Sequence, residues 1–294
     1  MELGLRYPPT FTQVSTTEEA AAVLRSTVID LVICMPGNDD NDAFDVARDI
    51  KGKFPNIHCV VLTPFSHGIT KRMQNEDLSI FDYVFCWLGN TNLILSIIKL
   101  IEDKMNLEHD IQEAGVQMIL LVEDSIRFYS SILPNLYNYI LEQSKNFSQE
   151  ALNRHAATMR MRGRPKVVLA RTYEEAQKLY DKYSDNTLGV ISDARFPLKS
   201  AAKAFGNEVM PEEKPKHRTD TFGREKCPDA GLQLFRYIRK NDPFVPLIIE
   251  SSESENRAKA EAEGFRFVDK NSKKMSVDLR RLMEEHTSEL QSPM

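Results

Sequence analysis

Two runs of short apolar segments, each segment followed by an amphipathic stretch, constrain this chain more than any other feature. In the first run, residues 29–34 are apolar over strand length, and residues 42–51 follow with Phe44, Ala47 and Ile50 at helical spacing. Residues 59–62 and 83–86 read as further strands, and a helix starts at Thr91. In the second run, strands are predicted at 118–122, 166–169, 188–191, 246–249 and 265–268. Helices are predicted from Ser125 and over 173–183, 231–238, 255–263 and 276–290. Near-continuous apolar strands are those buried on both faces of a sheet. When helices alternate with them, right-handed βα crossovers build an open parallel sheet covered on both sides. The pattern therefore predicts an α/β chain with two doubly wound parallel sheets. At 294 residues and 41% hydrophobic content, the chain has the length and apolar content for both cores.

Several function classes are excluded by composition. A formal net charge of −5 offers no basic footprint for nucleic acid. Arg154, Arg160, Arg162 and Arg164 form a basic patch, but no helix-turn-helix pattern accompanies it, so it reads as a solvated insertion. The longest apolar runs, 93–95 and 97–98, fall far short of the ~20 residues of a membrane span. The N-terminus lacks the apolar stretch of a secretory signal. Cys34, Cys59, Cys86 and Cys227 form no C-x-x-C pair, and the six histidines are isolated. These features imply a cytoplasmic protein with reduced thiols, with neither membrane nor nucleic acid as partner.

In the second run the polar residues fall at the ends of strands. The first strand ends in Glu123 and Asp124, the third in Asp193, the fourth in Ser251 and the fifth in Lys270. In open α/β sheets, chemistry gathers outside the carboxyl ends of the strands. Three carboxylates brought together there repel one another and call for a cation, and a hard divalent ion with oxygen ligands suits them. A hydroxyl and an ammonium beside them could hold the oxygens of a transferring phosphoryl group.

The segments Ile119-Leu-Leu-Val-Glu-Asp124, Val190-Ile-Ser-Asp-Ala-Arg-Phe-Pro197, Ile248-Ile-Glu-Ser-Ser252 and Phe267-Val-Asp-Lys270 together resemble the receiver domain of two-component response regulators. That resemblance implies a flavodoxin-like fold and a role for each position. Glu123, Asp124, Asp193 and the backbone carbonyl of Arg195 would hold Mg²⁺. Asp193 would accept a phosphoryl group from a histidine kinase or phosphotransfer protein. Ser251 would be the switching hydroxyl, Lys270 the phosphate contact and Phe267 the rotating aromatic. Such a module regulates and is not an enzyme, apart from slow self-dephosphorylation. The sequence departs from the family at Glu123, where the first acid is usually Asp, and at Asn271, where most receivers carry proline and a cis peptide. Two insertions lengthen the domain, at about 134–164 and 198–227. The second follows the acceptor directly and could lie over the acidic pocket or form a surface loop.

The first run resembles a receiver without its chemistry. Met35 stands at the acceptor position and Cys86 at the lysine position, while Thr63 and Tyr83 keep the hydroxyl and the aromatic. The cluster Asp39, Asp40 and Asp42 reads as a solvated loop. Residues 10–14 and 17–25 look like the second strand and helix of a receiver. The residues before them are too few for the first strand and helix, which implies a truncated front. The expected organisation is a degenerate receiver at 1–105, a helical connector at 106–115 and a receiver at 116–294. Apolar residues from Leu93 to Ile111 could let the connector pack between the domains or form a homodimer. The paired layout and Leu5-Arg-Tyr-Pro-Pro9 are also similar to the front regions of large bacterial proteins with a phosphoenolpyruvate-synthase-like module. The alternative function is accordingly an unphosphorylated dimerisation scaffold regulating a downstream phosphotransfer domain. A phosphatase of the haloacid-dehalogenase kind would need an acid two residues after the nucleophile, where this chain has Arg195.

Overall fold

Each run of alternating segments folds around its own parallel sheet. The computed structural model describes residues 9–35, 43–64, 78–149, 163–199, 219–220, 223–272, 275, 277–278 and 281. By its contacts the chain divides into Met1–Ile101 and Glu102–Met294.

In the first unit, helix α1 (Thr17–Ser26) starts at Thr16, whose hydroxyl accepts a hydrogen bond from the Glu19 amide at 3.2 Å. The Glu19 carboxylate in turn accepts from the Ser15 amide at 2.9 Å, so two free donors of the helix start are satisfied locally. Strands β1 (Leu31–Cys34), β2 (His58–Thr63) and β3 (Tyr83–Cys86) pair parallel in that order. Helix α2 (Ala43–Lys53) buries Phe44, Ala47 and Ile50, the three residues whose spacing predicts its apolar face. Phe44 meets Phe81 edge-on, with centroids 5.9 Å apart. Met35 is exposed beyond the end of β1, while Thr63 and Cys86 are buried at the ends of β2 and β3. Residues 10–14 do not form the expected strand. Among the described residues this segment pairs with no strand of the sheet, whose order is β1-β2-β3. Asp39, Asp40 and Asp42 lie outside the described residues.

Helix α3 (Asn92–Ala114) crosses the division between the units, and Gly115 follows it at φ 58°, a left-handed conformation favoured by glycine. Within the second unit, α3 places Leu107 and Ile111 against Met118, Val168 and Tyr183. Asp103, fully buried on the same helix, accepts from the Tyr137 hydroxyl at 2.9 Å and from the Val167 amide at 2.9 Å. It also takes a two-pronged contact from Arg164 at 2.6 and 3.1 Å. Arg164 is therefore an internal tie of the second unit, and no part of a solvated basic patch. Arg154, Arg160 and Arg162 lie outside the described residues.

The second sheet contains β4 (Met118–Val122), β5 (Lys166–Ala170), β6 (Thr187–Asp193), β9 (Leu247–Ser251) and β10 (Arg266–Asp269). All its pairings are parallel, in the order β10-β9-β6-β4-β5. Counted along the chain within this unit, that order is 2-1-3-4-5, the flavodoxin-like arrangement, with its switch point between the first and third strands. The second unit has the flavodoxin-like fold. One face packs Leu120, Val122, Val190 and Ile249 under α5 (Tyr173–Tyr183), α6 (Ala230–Asn241) and α7 (Glu255–Ala262). On the other face, Ile119, Ile191 and Ile248 share a cavity of about 120 Å³ with Tyr139 and Ile140 of α4 (Ile126–Gln149).

Helix α4 is longer than the sequence suggests. It runs for 24 residues through Pro134, so the first insertion begins as added helix. Buried Tyr129, Leu133, Leu136, Tyr137 and Ile140 on its inner face outweigh the local cost of the proline. The second insertion returns to the body through a short antiparallel pair, β7 (Phe196–Pro197) with β8 (Lys226–Cys227). The predicted final helix at 276–290 lies largely outside the described residues.

Candidate functional site

The strand order brings the carboxyl ends of β4 and β6 side by side, and three acids meet there. Glu123 and Asp124 follow β4, and Asp193 closes β6. Each offers a carboxylate oxygen within 4.8 Å of the others, the only such cluster of potential metal ligands among the described residues. Glu123 and Asp124 are fully buried, whereas Asp193 keeps 13% of its side chain exposed. Asp193 is thus the member of the cluster that solvent can reach.

Lys270 leaves the end of β10, where its amide donates to the Ser251 carbonyl at 3.0 Å. Its ammonium lies 2.9 Å from Asp193 Oδ1 and also donates to Glu123 Oε2. The Phe128 ring sits over it with its centroid 4.5 Å away. Burial works against the charge on Lys270, but Asp193, Glu123 and Glu250 outweigh it and hold its pKa above the usual lysine range. The acids respond in the opposite way. Burial pushes Glu123 up to about 8 against the pull of Lys270, with Asp193 and Asp124 adding repulsion. Burial likewise pushes Asp124 up to about 6, opposed by Lys226 and reinforced by Asp193.

The remaining hydrogen bonds show which groups are committed. Glu123 Oε1 accepts from the Ser125 amide at 2.9 Å, and Asp193 Oδ1 from the Ala194 amide at 2.8 Å. Neither oxygen of Asp124 has a hydrogen-bond partner, although the Lys226 ammonium stands 2.7 Å from Oδ2. Two buried oxygens lacking hydrogen bonds, beside two further carboxylates, suit the all-oxygen donor set of Mg²⁺. The residues present therefore fit the ion that the resemblance implies.

Glu123, Asp124, Asp193 and Lys270 are brought together, as expected from the sequence. Ser251 is nearby in the fold but engaged elsewhere: its hydroxyl accepts from Asn256 Nδ2 at 2.8 Å and from the Glu253 amide at 3.1 Å. Phe267 is half-buried, with the Arg257 guanidinium 4.8 Å from its ring centroid. The Arg195 side chain pairs with Glu253 at 3.0 Å. Asn271 ties its loop to the Ser252 carbonyl at 3.0 Å, and there is no cis peptide bond among the described residues.

Sequence reasoning missed Lys226, Gly231 and Glu250. Lys226 reaches the cluster from the second insertion. Gly231, at the start of α6, lies so close to the end of β6 that an added Cβ would stand 2.3 Å from the Asp193 carbonyl oxygen. Glu250 is fully buried opposite Asp193 in the β6–β9 register, and neither carboxylate oxygen has a hydrogen-bond partner. Burial pushes it up to about 7, with Lys270 pulling down and Asp193 pushing up. A lone acid within the apolar run Leu247–Ser251 was the visible signal for it.

No protein-family model matches the chain, and no curated protein matches it in sequence. Among solved structures it is similar to a response regulator receiver domain protein from Clostridium thermocellum. The identity is 17% over 60% of this chain and 98% of that one, with a TM-score of 0.34. It is also similar to a two component transcriptional regulator AraC from Clostridium phytofermentans ISDg. Here the identity is 15% over 60% of this chain and 99% of that one, with a TM-score of 0.30. The fold assignment rests on the strand order of the second unit. No helix among the described residues is long and apolar enough to cross a membrane.

Proposed function

We propose that the second unit is a phosphoryl-accepting receiver module of a two-component signalling system. The observation that carries this reading is Lys270, which lies on both Asp193 and Glu123 within a buried cluster of acids at the strand ends. A charged lysine beside an acid that solvent reaches is the pair needed to receive a phosphoryl group and to hold its oxygens.

In the proposed reaction, an Asp193 carboxylate oxygen attacks the phosphorus of a phosphohistidine on a kinase or phosphotransfer protein. The P–N bond breaks as the O–P bond forms, and the imidazole leaves. Lys270, already 2.9 Å from Asp193, neutralises charge on the incoming oxygens. Glu123, Asp124 and Asp193 would hold Mg²⁺, which when bound offsets the charge of the phosphoryl group. Ser251 would then exchange its bonds from Asn256 and Glu253 for the phosphoryl group. Phe267 would leave its place under Arg257, and the surface around β10 would change its partner preference. Such a change is a shift between two populated states, driven by the difference in their affinity for the phosphoryl group. The first unit, with Met35 and Cys86 at the chemical positions, serves assembly. The module regulates and does not turn over a substrate.

Fluoroberyllate, a mimic of the phosphoryl group, tests the reading without a kinase. With Mg²⁺ present it should shift the amide resonances of Ser251, Asn256 and Phe267, and Asp193→Asn should abolish the shift. If those resonances stay in place at saturating fluoroberyllate and Mg²⁺, the proposal fails.

A further inference from the structure

The second insertion contributes its own positive charge to the acid cluster, and its local structure shows that the contact is built. Ahead of β8, the Asp220 amide donates to the Arg224 carbonyl at 2.9 Å, and the Gly223 amide to the Asp220 carbonyl at 3.1 Å. The Asp220 carboxylate accepts from the Arg224 amide at 2.8 Å and from Arg224 Nε at 2.6 Å, with both side chains buried. Gly223, at φ 72°, makes the tight reversal possible. Lys226 then pairs in register with Pro197 and Cys227 with Phe196, so the backbone carrying Lys226 is fixed to the segment just after Asp193. From that anchor its ammonium, with 16% of the side chain exposed, reaches 2.7 Å from Asp124 Oδ2.

Lys226 and a divalent cation compete for the same oxygen. An ammonium 2.7 Å from Asp124 Oδ2 stands where a divalent ion bound to that oxygen would sit, and two cations that close repel, so the two occupants are exclusive. We infer that Lys226 is a tethered gate on the cation site: it holds Asp124 when the site lacks a divalent ion and swings out when one binds. Because β8 is paired to β7, the exchange is a movement of the Lys226 side chain on a fixed backbone.

This inference rests on the proposed cation site, and the test separates the two. Free Mn²⁺, read by its electron paramagnetic resonance signal, is titrated with the full chain, with Lys226→Met and with Asp124→Asn. A closed gate lowers apparent affinity by the fraction of open molecules, so Lys226→Met should bind about tenfold more tightly or better. Asp124→Asn should bind more weakly than the unaltered chain. Equal or weaker binding by Lys226→Met, with the unaltered chain still binding through Asp124, overturns the gate and leaves the cation site standing. Absence of binding by every form overturns both. A second measurement needs no substitution. Reductive methylation followed by peptide mass spectrometry should find Lys226 protected in the unaltered chain and reactive once Mn²⁺ is saturating. Continued protection with Mn²⁺ bound overturns the gate.

Discussion

Replacing Glu250 by methionine should stabilise the second unit, and by more at pH 8 than at pH 5. Glu250 is fully buried, its carboxylate oxygens have no hydrogen-bond partner, and its pKa is pushed up to about 7 from an ordinary 4.5. Between those two values the folded chain keeps a proton that the unfolded chain has released. The folded state therefore binds more protons, and stability must fall as pH rises through that window and level off above about 7. A shift of about 2.5 units at 1.36 kcal/mol each costs the fold about 3 kcal/mol at pH 8 and under about 1 kcal/mol at pH 5. Methionine is unbranched, of similar length, and has no charge to bury. The gain from Glu250→Met should thus be about 2–3 kcal/mol larger at pH 8 than at pH 5. Since the chain has two units, the readout should be local. Amide hydrogen exchange of peptides covering β6 and β9, compared between variant and parent at each pH, provides it. A gain that is the same at both pH values, or a loss at pH 8, would refute the reasoning.

Three further outcomes follow from the same geometry. Gly231→Ala places a methyl group against the Asp193 carbonyl oxygen, and the strand must shift. The cost should be about 1–3 kcal/mol in thermal unfolding, with impaired phosphoryl acceptance because the acceptor itself moves. Asp103→Asn leaves Arg164 and Lys166 without their shared buried charge, and should destabilise the second unit by about 3–5 kcal/mol in the same assay. Cation binding should depend on pH, since Glu123 at about 8 and Asp124 at about 6 hold protons that a metal must displace. Mn²⁺ affinity should rise between pH 6 and pH 8.5, by up to about tenfold per unit for each proton displaced. A flat profile would contradict this arrangement of acids.

Much of the fold and the cluster was legible in the sequence, because both depend on local pattern. Phe44, Ala47 and Ile50 lie on one helical face, as do Leu234, Phe235 and Ile238, and both sets are buried. Glu123, Asp124, Asp193 and Lys270 each follow an apolar strand, and parallel strands bring such ends to one edge. What stayed hidden depends on tertiary contact. The first insertion is expected to begin at about Pro134, yet the apolar face around it carries α4 on to Gln149. Lys226 sits among other charges in the insertion, and no periodicity marks the one that meets Asp124. Gly231 looks like an ordinary glycine near a helix start until the Asp193 carbonyl is found against it. Residues 10–14 have the composition of a strand but pair with none among the described residues. Ser251 sits where its sequence position implies, but its bonds to Asn256 and Glu253 depend on the turn into α7.

The central claim is that Asp193 accepts a phosphoryl group, and intact-protein mass tests it most directly. The full chain is incubated with acetyl phosphate and Mg²⁺, beside Asp193→Asn and beside a sample with the cation chelated. The account predicts one phosphoryl adduct that requires Mg²⁺, is removed by hydroxylamine, and is absent from Asp193→Asn. Absence of an adduct on the unaltered chain, or an adduct that persists in Asp193→Asn, would contradict it.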